Sequence, residues 1–222
     1  MEIVAEGVEV NGAHGPLLER TSLRVRDGQL LLVAGDVHFG RTAMALALSG
    51  RLQPGRGTVR LDGAVSPARL RDAVVVVDAP GVTEPEGAVS VRTVVAEGLS
   101  MAGRPSRRSR VRSWLTEHSA GQHERERFEN LPAPVRTRLL IDLARETGAR
   151  ALVLDSPDRH GGDPSTWYSL ARGEAEQGRA VVVLCSPHSA HRLRAPHALL
   201  GEDNRAGETA VDLTPASSEG SR

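Results

Sequence analysis

The sequence predicts an α/β fold: a mostly parallel sheet covered by helices, with an antiparallel β region at its N-terminus and a small helical subdomain. Two kinds of apolar pattern predict it. Leu30–Ala34, Ala73–Val77, Ala151–Leu154 and Val181–Leu184 are short, continuous apolar runs, as suits strands buried on both faces. Val8 and Val10, Leu23 and Val25, and Val59 and Leu61 instead alternate with polar residues, as suits antiparallel strands with one wet face. A third observation is a glycine-rich segment between the run at 30–34 and a helical pattern.

The elements follow in order. Turns at Asp27-Gly28 and Asp62-Gly63 separate the early strands. A helix opens at Gly40 or Arg41, carries Met44, Leu46, Ala47 and Leu48, and ends before Gly50. Residues 92–130 are more polar and read as helical and peripheral, part of a subdomain spanning about residues 80–145. A helix from about Val135 places Leu139, Leu140, Leu143 and Ala144 on one face and stops by Gly148. Another begins at Asp163-Pro164, with Asp as N-cap and Pro at the first helical position. One domain over 1–213 and a disordered tail over 214–222 complete the organisation.

Composition limits the function. The formal net charge is +0 and every basic residue is Arg, so no global basic field points to nucleic acid. The Arg-rich stretch 104–112 has only Trp114 beside it and suits a solvated helix face better than a single-strand platform. A lone cysteine, Cys185, excludes an internal disulfide, and its apolar surroundings suit a buried, inert thiol. His191 and His197 read as surface or loop residues, and no His/Cys cluster has metal-ligand spacing. The N-terminus shows no charged leader before an apolar stretch, and the apolar runs are far too short to span a bilayer. These features predict a cytoplasmic protein, peripheral to a membrane only through a partner.

The segment Gly35-Asp36-Val37-His38-Phe39-Gly40-Arg41-Thr42 fits G-x-x-x-x-G-K-[ST] with Arg in place of Lys. It follows a strand and opens a helix, the context of a P-loop NTPase core. Backbone N–H groups of residues 35–43, Ala43 included, would cradle nucleotide phosphates, and Thr42 would hold a magnesium ion. The same residues also suit a plain strand–turn–helix junction. Arg41 keeps a positive charge in a fork bulkier than an ammonium. His38 and Asp36 add a side chain and a negative charge where phosphates would lie. Asp155 ends the apolar run 151–154. Such a residue either caps a turn or, joined to the loop, holds the metal.

With these two motifs the chain resembles the nucleotide-binding domain of ATP-binding cassette (ABC) proteins over about residues 3–213. The stretches Leu17–Gly28 and Gly50–Gly63, the Asp155-Ser156-Pro157 triplet and Asp163 carry the resemblance by their order and spacing. It implies Mg-ATP as ligand, with a membrane protein or a second ABC subunit as partner in a homo- or heterodimer. It also identifies departures. Ser156 stands at the catalytic Glu. Leu131-Pro132-Ala133-Pro134-Val135 stands at the signature loop Leu-Ser-Gly-Gly-Gln. Ser186, with His188 nearby, stands at the switch His. Asp78 or Ala79 stands at the Q-loop Gln. Asn11 stands at the adenine-stacking aromatic. The expectation is a degenerate ATP-binding subunit with weak or lost hydrolysis, its catalytic residues unassigned. The alternative is an interaction module that keeps the fold without the nucleotide. A small-molecule kinase would leave Gly50–Gly63 and Asp163 unexplained.

Overall fold

The computed structural model of the chain describes residues 1–13, 15–36, 40–205 and 209–214. Val37, His38 and Phe39, and all of the expected tail except Thr214, lie outside the described residues. The strands and helices run β1 (Glu2–Gly12), β2 (Gly15–Arg26), β3 (Gln29–Ala34), α1 (Arg41–Leu48), β4 (Arg56–Leu61), α2 (Pro67–Ala73), β5 (Val74–Val77), α3 (Val91–Met101), α4 (Arg108–Glu117), α5 (Ala133–Glu146), β6 (Ala151–Asp155), α6 (Pro164–Glu176), β7 (Ala180–Cys185), α7 (Pro187–Leu193), β8 (Ala198–Leu199) and β9 (Ala210–Asp212).

Two sheets form. β2, β1 and β4 make an antiparallel sheet in that order. The second sheet runs β5-β6-β7-β3-β8, all parallel, with β9 antiparallel on β3. The four continuous apolar runs all fall in this sheet, but only β3, β6 and β7 lie inside it, while β5 forms one edge. The two-sided burial of the inner strands has a direct cause. Leu30, Leu32, Leu152, Leu154, Val181 and Val183 face a core shared with α3–α6. Leu31, Val33, Val153, Val182 and Leu184 face a second core, shared with α1 and the antiparallel sheet. Side chains alternate between faces along a strand, so a strand with an apolar layer on each side must be apolar throughout.

β3, β6 and β7 run one or two residues beyond the expected apolar runs, and the boundaries of β5 and α5 also differ from expectation. Ala73 ends α2, whose N-cap is Ser66, and the strand starts at Val74, the first residue with extended angles (φ −121°, ψ 124°). α5 starts at Ala133 with Pro132 as its N-cap residue. Pro134 lies in the first turn, where a missing N–H costs nothing. Residues 91–146 hold α3–α5, but residues 92–130 are not merely peripheral, since they share a core with the parallel strands. Val111, Trp114, Leu115 and Phe128 are fully buried, and Trp114 Nε1 donates to Glu146 Oε1 at 2.8 Å. The arginines of α4 lie on its outer face, where Arg110 pairs with Glu117 and Arg112 with Glu124.

Candidate functional site

The parallel register brings three strand ends together. Ala34 pairs with Cys185, and Asp155 pairs with Leu184. Gly35, Ser156 and Ser186 therefore emerge side by side at the C-terminal edge of the sheet, the usual place for a ligand in such folds. Gly35 is buried, donates its N–H to the Cys185 carbonyl at 3.1 Å, and has no room for a Cβ, which would meet Leu200 at 2.6 Å. Gly40 caps α1 with φ 73°, and a Cβ there would lie 1.8 Å from the Leu17 carbonyl oxygen. Both loop glycines are thus fixed by their surroundings, and strand β2 passes directly against the start of α1.

Thr42 and Asp155 meet across 113 residues: Thr42 Oγ1 donates to Asp155 Oδ2 at 2.6 Å. The second carboxylate oxygen, Oδ1, accepts from Ser156 Oγ at 2.6 Å. Asp155 is fully buried. The donor set at this point, a hydroxyl and a carboxylate, fits a hard cation such as magnesium. Ser156 itself adopts φ 54°, ψ 50°, a left-handed conformation uncommon for a non-glycine residue. Its hydroxyl is spent on Asp155.

Arg41 is buried, and its Nη1 lies 3.3 Å from Asp158 Oδ1. Asp158 belongs to the short 3-10 turn Pro157–His160 that follows β6. Its Oδ2 accepts from Ser186 N–H and from Ser189 Oγ, each at 2.8 Å. Burial pushes the Asp158 carboxyl up, but the hydrogen bonds from Ser186 and Ser189 and the Arg41 charge outweigh it and hold its pKa below the ordinary value. Cys185, buried beside this group, is pushed up to about 12, first by burial and then by the Asp158 charge. This is an inert thiol at neutral pH.

A second polar cluster lies where β5 ends. Asp78, at φ 63°, takes two hydrogen bonds from Arg136 (2.8 and 3.2 Å) and one contact with His160 Nε2 at 2.8 Å. Arg159 Nη2 lies 3.0 Å from Asp78 and 3.1 Å from Glu84. Burial raises the Asp78 pKa, yet His160, Arg136 and Arg159 together keep it below the ordinary value. Asp78, Glu84 and His160 bring three ligand atoms within 4.8 Å of one another. Two guanidinium groups already engage both carboxylates, so the chemistry is that of an ion network rather than a cation site. The Arg136 guanidinium also lies 4.5 Å from the Phe128 ring centroid.

The remaining expected positions are placed as follows. Asp36 is exposed beside Gly35, and Ala43 is buried in the first turn of α1. Asp163 caps α6 through Ser165 N–H at 3.0 Å. Ser186 caps α7, and its neighbour His188 is exposed. Asn11 is exposed in the β1–β2 hairpin, opposite Pro16. Leu131 is buried, while Pro132 and Pro134 sit at the start of α5. The structure thus joins Gly35, Gly40, Arg41, Thr42 and Asp155, with Ser156 and Ser186, at one edge. Sequence reading did not single out Asp158. The available signal was a second acid three residues after Asp155, in the same turn.

No family model matches the chain. Among curated relatives, it is 30% identical over 231 residues to the hemin import ATP-binding protein HmuV of Pseudomonas entomophila, covering 95% of this chain and 88% of that protein. It is 29% identical over 155 residues to the taurine import ATP-binding protein TauB of Pseudomonas savastanoi pv. phaseolicola, where the match spans only 58% of the relative's length. Among solved structures, a nucleotide-free ATP-binding cassette from an ABC transporter superposes with TM-score 0.65 at 16% identity, over 87% of this chain and 84% of that one. The ATP-binding subunit of another ABC transporter gives TM-score 0.63 at 14% identity, over 90% and 86%. At these identities the structural likeness speaks to the fold alone.

Proposed function

This chain belongs to the ATP-binding cassette family of ABC transporters, and on that premise we propose that it is an ATP-binding subunit that binds Mg-ATP through a modified loop and hydrolyses it weakly or not at all. In this reading Gly35, Asp36, Val37, His38, Phe39, Gly40, Arg41, Thr42 and Ala43 surround the phosphates. Thr42 and Asp155 hold magnesium through their oxygens, and the ion supplies charge neutralisation at the phosphates. The solved relative cbiO1 from Clostridium perfringens is part of an ABC transporter complex. By analogy the partner here is a membrane protein, a second cassette, or both, and the subunit is peripheral to the membrane through it. Among the described residues no helix is long and apolar enough to cross a membrane.

The observation that carries the catalytic part is Ser156. It stands at the position of the family's catalytic Glu, and its hydroxyl donates to Asp155. A hydroxyl of ordinary pKa that already donates to a carboxylate cannot polarise an attacking water. Pro132 and Pro134 weaken the signature segment as well, since prolines have no N–H to offer a phosphate. Removing one charge-stabilising donor costs about 2.7–4 kcal/mol of barrier in comparable sites. A phosphate-release assay on the purified chain should therefore show no significant turnover, and Ser156→Glu alone should not restore it. Robust turnover that vanishes in Asp155→Asn would overturn this reading. A partner with an intact signature loop would complete the site holding Gly35, Thr42 and Asp155, so activity would then appear only in the mixed complex.

A second reading is an interaction module that has lost the nucleotide. It is favoured by one observation: Asp155 has both oxygens satisfied within the chain. Calorimetric titration with Mg-ATP separates the two readings.

A further inference from the structure

Arg41 is a permanent cation with a side chain only 8% exposed, and such a group needs a partner. Among the described residues its ion-pair partner is Asp158, 12% exposed. That carboxylate is held from the other side by Ser186 N–H and Ser189 Oγ. It therefore sits at the junction of three elements: the start of α1, the turn after β6 and the start of α7. Like a phosphate, it offers Arg41 anionic oxygen.

We infer that Asp158 is the resident counter-ion of Arg41 and competes with nucleotide phosphate for it, so that this pair sets the affinity of the phosphate site. The inference rests on the reading that the loop binds Mg-ATP. Two routes to binding exist, and both weaken it. If Arg41 turns to the phosphate, Asp158 remains buried with, among the described residues, only the neutral donors of Ser186 and Ser189. If Arg41 stays, the phosphate faces a nearby carboxylate without its cation. Removing the negative charge at 158 relieves both penalties. Asp158→Asn is the appropriate change because its side-chain oxygen still accepts from Ser186 and Ser189.

The test uses the full chain and Mg-ATP in a calorimetric titration. Asp158→Asn should bind about tenfold tighter than wild type, equivalent to about 1.4 kcal/mol. The gain should shrink in the Arg41→Met background, where only the repulsion between carboxylate and phosphate is left to relieve, and an undiminished gain there would overturn the competition for Arg41. Equal or weaker binding by Asp158→Asn, with measurable wild-type binding, overturns the competition and leaves the nucleotide reading standing. No binding by wild type or any variant overturns both. A urea-unfolding cycle over Arg41→Met and Asp158→Asn, without nucleotide, tests the pair separately. Non-additive effects support it, and additive effects overturn it even if affinity changes. Should Asp158→Asn fail to fold, Asp158→Ser, which keeps an acceptor oxygen, takes its place.

Discussion

At the scale of single residues, Gly40 shows how backbone geometry constrains the site. Two separate demands fall on it: a φ of 73° and the Leu17 carbonyl where a Cβ would be. Gly63 has a similar φ of 79° with nothing within 4 Å. Gly63→Ala should therefore cost only the left-handed strain, about 1 kcal/mol. Gly40→Ala should cost clearly more, about 3 kcal/mol or above, because β2 must also move away from α1. Urea midpoints of the two variants check this, and equal costs would show that the Leu17 contact relaxes freely. Asp142 illustrates a different constraint. It is almost fully buried, and burial raises its pKa despite the opposing charge of Arg145. A carboxyl with a raised folded pKa favours the native state when protonated, and that advantage fades as pH rises through the folded value. Asp142→Asn should thus be more stabilising, relative to wild type, at pH 7 than at pH 4. Thermal unfolding at the two pH values reads the difference, and the reverse order would sink the assignment.

At the scale of elements, the Arg136 side chain ties α5 to the end of β5. It is buried, paired with Asp78 and stacked over Phe128. Arg136→Met should cost about 3 kcal/mol, since it removes one partner of a buried pair. It should also raise amide exchange in α3–α5 before it does so in the parallel strands. Uniform exchange across the chain would show that the link is not local. The strands and α6 were legible in the sequence because their causes are local. Two-sided burial forces a continuous apolar run, and Asp163-Pro164 is a helix start in its own right. Gly35, Thr42 and Asp155 were legible for the same reason, as a turn before a helix and an acid after a strand. Arg136–Asp78 and Arg41–Asp158 were not. They join residues 58 and 117 positions apart, and no periodicity in the chain encodes which acid meets which arginine.

At the scale of the whole molecule, the ion pairs set the response to acid. Asp78 and Asp158 both have folded pKa values below the ordinary one, despite their burial. Depressed carboxyl values contribute stability that is fully present above the unfolded pKa of about 3.9 and is lost as pH falls through the folded value. Urea stability should hold steady above about pH 5 and fall below about pH 4. The fall should be shallower in Asp158→Asn, and an identical slope would show that Asp158 does not contribute. The order of strands in the parallel sheet has a kinetic consequence. β3 carries the loop, yet its hydrogen-bonded neighbours are Val181–Cys185 on one side, and Ala198–Leu199 and Ala210–Asp212 on the other. During synthesis this strand spends most of the chain's emergence with both edges open. Contacts between residues so far apart close large loops and slow the search for the native pairing. The segment that ends in Gly35 is therefore among the last to be secured, and until then its apolar Leu30–Ala34 edge stays open to wrong partners.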